Sequence, residues 1–317
     1  MKLRVNLSSA RSLAFAVVLS AILILSISYY WPVEEPYHPL NSGWNGCSKV
    51  ASAAANVTLL SSYSKLSPNS SSLLAIIGPN IQFSDEESSN VRSFLEAGGT
   101  VLVADDFGTG NSLLQRLEIG ARFSGKPLAD LYYYDKDPGF PIIRGFSPSS
   151  LTENVSVIIL NRPSFLEIDN SSQVTRLASS SPFSFIDLTV ENRPLTNETI
   201  DSYPVMADVR IGRGTLVLIS DPSMFVNDMV DLYDNMQLFR NLLGVGHGSL
   251  FFDVGHQSRA PLTDWRITLK GGMDSIRAFL FSSKTHIYIQ SIIVVFALGL
   301  VFSFELIRRK RSQWRRG

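Results

Sequence analysis

Two apolar runs joined by a capped helix are the feature that most restricts how this chain can fold. Residues 73–77 (Leu-Leu-Ala-Ile-Ile) and 100–104 (Thr-Val-Leu-Val-Ala) have strand length and no charge, which is typical of strands buried on both faces. Between them, residues 84–87 (Ser-Asp-Glu-Glu) have the spacing of a capping box. The apolar stripe of a packed helix follows and ends at Gly98-Gly99. A strand, a helix and a strand within about 30 residues predict a parallel crossover.

Similar patterns continue along the chain. The predicted helices are 46–55, 112–117 and 236–243, and the further predicted strands are 57–60, 155–160, 205–210, 215–219 and 249–252. The pair 205–210 and 215–219 forms a hairpin around Gly212-Arg213-Gly214. Residues 119–144 are irregular and predict a loop-rich insertion, which would cover a pocket at the carboxyl ends of the strands. Alternating helices and buried strands predict a three-layer α/β domain with a mostly parallel sheet.

Polar side chains follow several of the predicted strands at the points where the strands end. Because ligands of α/β proteins bind outside the carboxyl ends of the strands, we expect a ligand-binding site there. Its candidate residues are Asp105, Asp106, Asn111, Asp221, Asn227, Asp253 and His256. They supply oxygen ligands for a metal ion or an acid–base pair. The alternative is structural, because Asp and Asn after strands also cap helices and form turns. The sequence identifies no cofactor and leaves a metal open.

Both ends of the chain carry long apolar stretches, which are uncharged over residues 13–31 and 287–304. Residues 13–31 and 287–307 are predicted transmembrane helices, since each is long enough to cross a hydrocarbon core of about 30 Å. The alternative for the first stretch is a cleaved signal peptide, with Ser26-Ile27-Ser28 as the cleavage site. Basic residues flank both stretches, which predicts cytoplasmic tails at 1–12 and 308–317.

This topology predicts a cell-membrane protein with both termini inside. Residues 32–45 then form a linker, 46–256 an extracytoplasmic domain, and 257–286 a membrane-proximal linker. Residues 12–304 carry 19 Lys and Arg against 27 Asp and Glu, so nucleic-acid binding is not expected. Five glycosylation sequons fit an outer location: Asn56, Asn69, Asn154, Asn170 and Asn197. The single cysteine, Cys47, excludes a disulfide within the chain.

Several motifs in this order resemble the domain of unknown function 4350 family. They are Asn41-Ser-Gly-Trp-Asn-Gly46, Ile77-Gly-Pro79, Gly98-Gly99 with Asp105-Asp-Phe-Gly108, Ser220-Asp-Pro-Ser-Met-Phe-Val-Asn227, and Asp234-Asn235. The resemblance implies a flavodoxin-type fold like that of class I glutamine amidotransferases, on a membrane-anchored chain. It also implies partners such as a MoxR-type AAA ATPase and its associated membrane proteins. Of the Asp-Glu-x-His-His segment often found in that family, Asp253 and His256 are present.

Amidotransferase chemistry needs a nucleophile in the turn after a central strand, and this chain has none there. That turn, after residues 100–104, contains Asp105 and Asp106 instead of a cysteine or serine. Cys47 precedes every predicted strand and is expected to pack as a small apolar residue. The sequence therefore predicts a two-pass membrane protein whose non-catalytic domain is an interaction or ligand-sensing module. The alternative is a hydrolase or metal-dependent enzyme that uses Asp105, Asp106, Asp221 and His256.

Overall fold

The computed structural model describes residues 15–20, 23–24, 26, 32–66, 72–169, 173–194, 199–245, 249–257, 263, 265 and 268–269. The chain divides into two compact units, one of residues 32–260 and one of residues 1–31 with 261–317. In the latter unit, residues 15–20 are helical.

The predicted transmembrane helices are not supported by the part of the chain that the structure describes. Within those residues, no helix combines the length and the apolar character that crossing a bilayer requires. The first predicted span, 13–31, is described in part, and the second, 287–307, lies outside the described residues. The same finding corrects the predictions that depended on these helices, namely a two-pass cell-membrane protein and an extracytoplasmic domain.

The unit 32–260 is an α/β domain. Its helices are α1 (Ser48–Ala53), α2 (Asp85–Glu96), α3 (Asn111–Arg116) and α4 (Asn235–Val245). Its first strands are β1 (Asn56–Leu60), β2 (Leu73–Ile77), β3 (Thr100–Ala104), β4 (Ala121–Phe123), β5 (Leu128–Asp130), β6 (Ile142–Ile143), β7 (Gly145–Phe146) and β8 (Ile158–Ile159). The later strands are β9 (Leu166–Ile168), β10 (Val174–Ser179), β11 (Ser184–Ile186), β12 (Ile200–Asp201), β13 (Pro204–Ile211), β14 (Gly214–Ile219) and β15 (Ser249–Asp253).

The main sheet has eight strands in the order β1-β15-β2-β3-β14-β13-β10-β7. The first five are parallel to one another, whereas β13, β10 and β7 add antiparallel pairings. The prediction of a mostly parallel sheet is therefore wrong, and the sheet is mixed. The reason is the tight turn at Gly212, whose φ of 57° reverses the chain between β13 and β14. Each strand added beyond that hairpin runs antiparallel to its neighbour.

Helices cover both faces of the parallel half of the sheet. All five residues of β2 and of β3 are buried, as the uncharged apolar runs predict. Helix α2 packs against β3 and β14, and α4 packs against β2 and β3. The capping box of α2 is present, because Ser84 Oγ accepts from the Glu87 amide while Glu87 Oε2 accepts from the Ser84 amide. This packing fixes the carboxyl ends of the parallel strands as one rigid edge.

Candidate functional site

Asp105 holds the turn that follows β3. Its side chain is 1% exposed and accepts hydrogen bonds from three backbone amides, those of Phe107 (3.0 Å), Gly108 (3.2 Å) and Gly110 (2.6 Å). Burial raises the pKa of this carboxyl, and the three amide donors offset part of the increase. With both oxygens engaged by the backbone, Asp105 shapes the turn that leads into α3.

Asp106 has a different environment although it is the next residue. Its Oδ1 atom is buried and has no hydrogen-bond partner among the described residues. Burial, together with the charge of Asp105, raises the pKa of Asp106 to about 7. The neutral and ionised forms of this carboxyl are therefore both populated near neutral pH.

A pocket of about 500 Å³ opens next to Asp106 at the carboxyl ends of β3 and β14. We call it the carboxyl-edge pocket, and it is lined by Tyr37, Trp44, Asp106, Phe107, Ser164 and Ser223, among others. Its volume lies within the range of about 300–1,000 Å³ that is usual for small-molecule sites. Its position is the one that α/β folds use for ligands.

Hydroxyl groups line the carboxyl-edge pocket beside Asp106. The Tyr37 hydroxyl lies 3.2 Å from Ser223 Oγ, and burial, aided by nearby carboxylates, raises the pKa of the Tyr37 phenol. Ser164 is 1% exposed, and its Oγ has no hydrogen-bond partner in the described part of the chain. The Ser164 amide donates to the Ser220 carbonyl at 2.9 Å, which ties this segment to the end of β14.

Strained backbone and exposed aromatic rings mark the rim of the same pocket. Tyr37, Arg162 and Val190 line it with φ values of 60°, 49° and 57°, a left-handed conformation that is unfavourable for side chains of this size. Such strain is concentrated at functional sites. The side chains of Trp44 and Phe107 are 68% and 82% exposed and give the rim two apolar faces.

Asp221 does not line the pocket itself, but it hydrogen-bonds two residues that do. It is fully buried, and its two oxygens accept from the backbone amides of Asn161 and Ser223, each at 2.7 Å. Burial raises the pKa of Asp221 well above its ordinary value, with a further contribution from Asp106. Because residues 161–164 and 223 line the pocket, Asp221 positions groups that a ligand would meet.

Asn111 and Asn227 do not line the carboxyl-edge pocket. Asn111 exchanges two hydrogen bonds with the backbone of Phe123, at 2.8 and 2.9 Å. Asn227 accepts from the Lys49 amide at 2.9 Å, and it donates to the carbonyls of Asn41 (3.1 Å) and Gly43 (2.6 Å). The contacts of Asn227 fasten the segment that carries Trp44 to the loop after β14.

The structure brings Asp253 and His256 together in a separate buried cluster. His256 Nδ1 lies 3.1 Å from Asp253 Oδ2, and its Nε2 lies 3.5 Å from Glu87 Oε2. The imidazole stacks on the ring of Phe83, with centroids 3.7 Å apart. Burial lowers the pKa of His256, but the hydrogen bond to Asp253 and the charges of Asp253 and Glu87 outweigh it and raise the pKa overall. His256 and Asp253 are at most 2% exposed, whereas the Glu87 side chain at the outer edge of this cluster is 32% exposed.

The seven candidates therefore divide into groups with different surroundings. Asp106 lines the pocket, with Asp105 and Asp221 next to it, while Asp253 and His256 lie in the buried cluster. No group of three His, Cys, Asp or Glu residues in the described part of the chain is arranged to hold a metal ion.

Several residues that line the carboxyl-edge pocket were not among the site residues predicted from the sequence. Tyr37 and Trp44 lie in 32–45, the segment predicted as a linker, and no periodic signal marks Ser164. The signal available for Ser223 was its place directly after Asp221 and Pro222.

The remaining residues singled out in the sequence have varied surroundings. Cys47 is fully buried, and burial raises the pKa of its thiol. The sequon residues Asn56 and Asn154 are exposed. Asn69, Asn170 and Asn197 lie outside the described residues.

Comparison with known proteins identifies a family and distant structural neighbours. The family described as "Domain of unknown function (DUF4350)" matches residues 39–243. The search of curated proteins finds no match to this chain. Among solved structures, the mmIFT52 N-terminal domain is 17% identical, with 55% of this chain and 76% of that chain covered and a TM-score of 0.43.

Two further structures are similar at lower scores. The β-galactosidase from Bacillus circulans sp. alkalophilus is 12% identical over 56% of this chain and 23% of its own, with a TM-score of 0.34. The cytoplasmic protein STM3548 from Salmonella typhimurium is 11% identical over 63% of this chain and 78% of its own, also at 0.34. Similarity at this level says nothing about the activity of this chain.

Proposed function

This chain belongs to the DUF4350 family, a domain of unknown function, and we propose that it binds a small, uncharged, hydroxyl-bearing molecule in the carboxyl-edge pocket. The observation that carries the proposal is a pair of buried polar atoms, Asp106 Oδ1 and Ser164 Oγ, which lack partners among the described residues. An unpaired buried polar atom costs about 1–3 kcal/mol. A ligand that pairs with both atoms recovers this cost.

The charges around the pocket favour an uncharged ligand. Asp106 is partly ionised at neutral pH and repels anions. Arg162 is a cation on the rim, and its guanidinium lies 3.9 Å from a carboxylate oxygen of Asp137. Asp187, also in the lining, already accepts from the amides of Glu191 and Asn192. A hydroxyl group suits these surroundings because it donates to a carboxylate and accepts from a carboxylic acid or a serine.

The exposed rings of Trp44 and Phe107 complete the proposed binding mode. Small-molecule sites commonly combine apolar walls with a few well-placed polar groups. The carbon skeleton of a hydroxylated ligand would pack against these rings, while its hydroxyls face Asp106 and Ser164.

We also propose that the fold is related to that of class I glutamine amidotransferases but lacks their chemistry. The parallel crossover β2-α2-β3 supports this relation, since the turn Asp105–Gly110 then occupies the position of the nucleophile. That turn contains neither cysteine nor serine. A MoxR-type AAA ATPase is a proposed partner on the family resemblance alone.

Saturation-transfer NMR with the full-length protein tests the binding proposal. The probes are glucose, mannose, N-acetylglucosamine and adenosine, all uncharged and hydroxylated. We expect at least one to bind, and we expect Asp106→Asn and Ser164→Val to weaken it by about tenfold each.

Two controls keep that result interpretable. Glu153→Gln and Ser156→Val make the same chemical changes at exposed positions outside the pocket lining and should leave binding unchanged. Binding by none of the probes, or equal binding by all four variants, would contradict the proposal.

A further inference from the structure

A second pocket lies at the antiparallel end of the main sheet, where β10 pairs with β7. Its volume is about 650 Å³, and its lining includes Tyr133, Arg144, Ser147, Arg176 and Phe183. We call it the arginine groove. It shares no lining residue with the carboxyl-edge pocket, so the two are independent.

The charge of the arginine groove is opposite to that of the domain around it. Residues 32–257 contain 14 Lys and Arg against 25 Asp and Glu. The lining of the groove nevertheless contains two arginines and no acidic residue. Neither Arg144 nor Arg176 forms an ion pair or a side-chain hydrogen bond within the residues that the structure describes. An exposed pair of guanidinium groups in an acidic protein is a local site of positive potential.

Local backbone structure fixes the positions from which the side chains of Arg144 and Arg176 extend. Arg144 directly precedes β7, and Arg176 lies at a β-bulge where the register between β10 and β13 shifts. The Ser147 amide donates to the Leu177 carbonyl at 2.8 Å, and Ser147 Oγ donates to the Arg176 carbonyl at 3.0 Å. These bonds clamp the two segments together. Bulges of this kind redirect side chains near binding sites.

Among the described residues, two carboxylates accept hydrogen bonds from residues of the lining: Asp130, and the exposed Asp201, whose Oδ1 accepts from the Ser202 amide at 2.7 Å. Asp130 is fully buried and accepts from the hydroxyls of Ser181 (2.5 Å) and Ser184 (2.8 Å). Its other oxygen accepts from the amides of Tyr132 and Tyr133. Asp130 therefore supports the wall of the groove without neutralising its arginines.

An aromatic wall stands beside the arginines. Tyr133 and Phe183 line the groove, are 42% and 41% exposed, and stack with their centroids 6.2 Å apart. Tyr132 meets the Phe183 ring edge-on at 5.0 Å. Exposed rings held in place by one another give a planar ligand a preformed face.

We infer that the arginine groove binds a small molecule in which an oxyanion, either a carboxylate or a phosphate, is attached to an aromatic body. The guanidinium forks of Arg144 and Arg176 hydrogen-bond the oxyanion, as planar guanidinium groups do with both kinds of group. The aromatic body packs against Tyr133 and Phe183. A molecule of this size fits the volume of the groove.

Isothermal titration calorimetry with the full-length protein tests this inference, with phenyl phosphate, benzoate and inorganic phosphate as probes. We expect phenyl phosphate or benzoate to bind, with whichever is tighter identifying the oxyanion. Arg144→Gln and Arg176→Gln should each raise its Kd by about tenfold. The matched control is Arg240→Gln, which removes an exposed arginine of α4 outside the groove and should leave the Kd within about twofold.

A third variant tests the aromatic wall separately. Phe183→Ala should weaken the aromatic probe by about threefold or more and leave inorganic phosphate unchanged. Circular dichroism of each variant establishes that it is folded. The inference is overturned if neither aromatic probe binds, if Arg240→Gln weakens binding as much as the two groove variants, or if Phe183→Ala has no effect.

Discussion

His256 Nδ1 lies 3.1 Å from Asp253 Oδ2, and the side chains of both residues are almost fully buried. The same imidazole reaches Glu87, the residue that closes the capping box of α2. One histidine therefore connects the end of β15 to the first turn of α2. A contact between two such distant parts of the chain is expected to matter for stability, and its protonation gives it a definite pH dependence.

We predict that His256→Gln destabilises the domain most below neutral pH. The pKa of His256 is raised in the folded state from its ordinary 6.5, so protonation favours folding. The charge-dependent stabilisation is fully present below pH 6.5 and is lost as the pH rises through the folded pKa. Urea unfolding at pH 6 should show a loss of about 2 kcal/mol that shrinks by pH 9. A loss independent of pH would contradict this assignment.

Glu87→Gln should show the opposite dependence on pH. Partial burial raises the pKa of Glu87, but hydrogen bonds from Ser84 and the charge of His256 outweigh it and lower the pKa below 4.5. Its stabilisation is therefore present above pH 4.5 and is lost as the pH falls through the folded pKa. Urea unfolding from pH 3 to 7 measures this, and Glu86→Gln on the exposed side of the same turn is the matched control. Equal profiles for the two variants would contradict the prediction.

The elements with the strongest local signals were predicted from the sequence. The predicted strands 73–77 and 100–104 coincide with β2 and β3, and the predicted hairpin and capping box are present. Uninterrupted apolar runs fix a strand on their own, because no other element of that length buries both faces. Glycine turns and caps depend on neighbouring residues alone.

Elements formed by long-range pairing were not predicted. Residues 173–185 are polar and rich in serine, yet they contain β10 and the first two residues of β11, and these strands are held by partners on β13, β7, β5 and β12. Such strands gain their stability from the partners on either side more than from their own propensity. The lining of the carboxyl-edge pocket also depends on long-range contacts, since Tyr37 and Ser164 reach it through tertiary contacts with the end of β14.

Two glycines provide a test of close packing between α2 and the hairpin. A Cβ atom on Gly214 would overlap the backbone carbonyl oxygens of Leu95 and Gly99, which cannot move without disturbing α2. We predict that Gly214→Ala costs about 3 kcal/mol of unfolding free energy. Gly244, near the exposed end of α4, has no atom within 4 Å of an added Cβ, and its replacement by alanine should stabilise by up to about 1 kcal/mol. Chemical denaturation measures both, and equal effects would contradict the packing described.

Asp106→Asn is expected to remove a penalty that grows with pH. Burial and the charge of Asp105 raise the pKa of Asp106 from 3.8 to about 7, so the folded state disfavours the ionised form. In the wild-type protein, stability is highest with respect to this group below pH 3.8 and decreases as the pH rises to 7, because ionisation is easier in the unfolded chain. The total decrease is on the order of 4 kcal/mol, at about 1.36 kcal/mol per pKa unit.

Asparagine keeps the shape of the side chain and cannot ionise, so the unfolding free energy of Asp106→Asn should depend less on pH between 4 and 8. At pH 8 the variant should therefore be more stable than the wild-type protein, although we expect it to bind the proposed hydroxylated ligand less tightly. Asp105→Asn, in contrast, should destabilise at pH 8, because an amide nitrogen cannot accept from the amides that the carboxylate now engages. Urea unfolding of both variants at pH 4, 6 and 8 separates the two aspartates. If Asp106→Asn destabilises as Asp105→Asn does, then Asp106 supports the turn, and its unpaired oxygen is not available to a ligand.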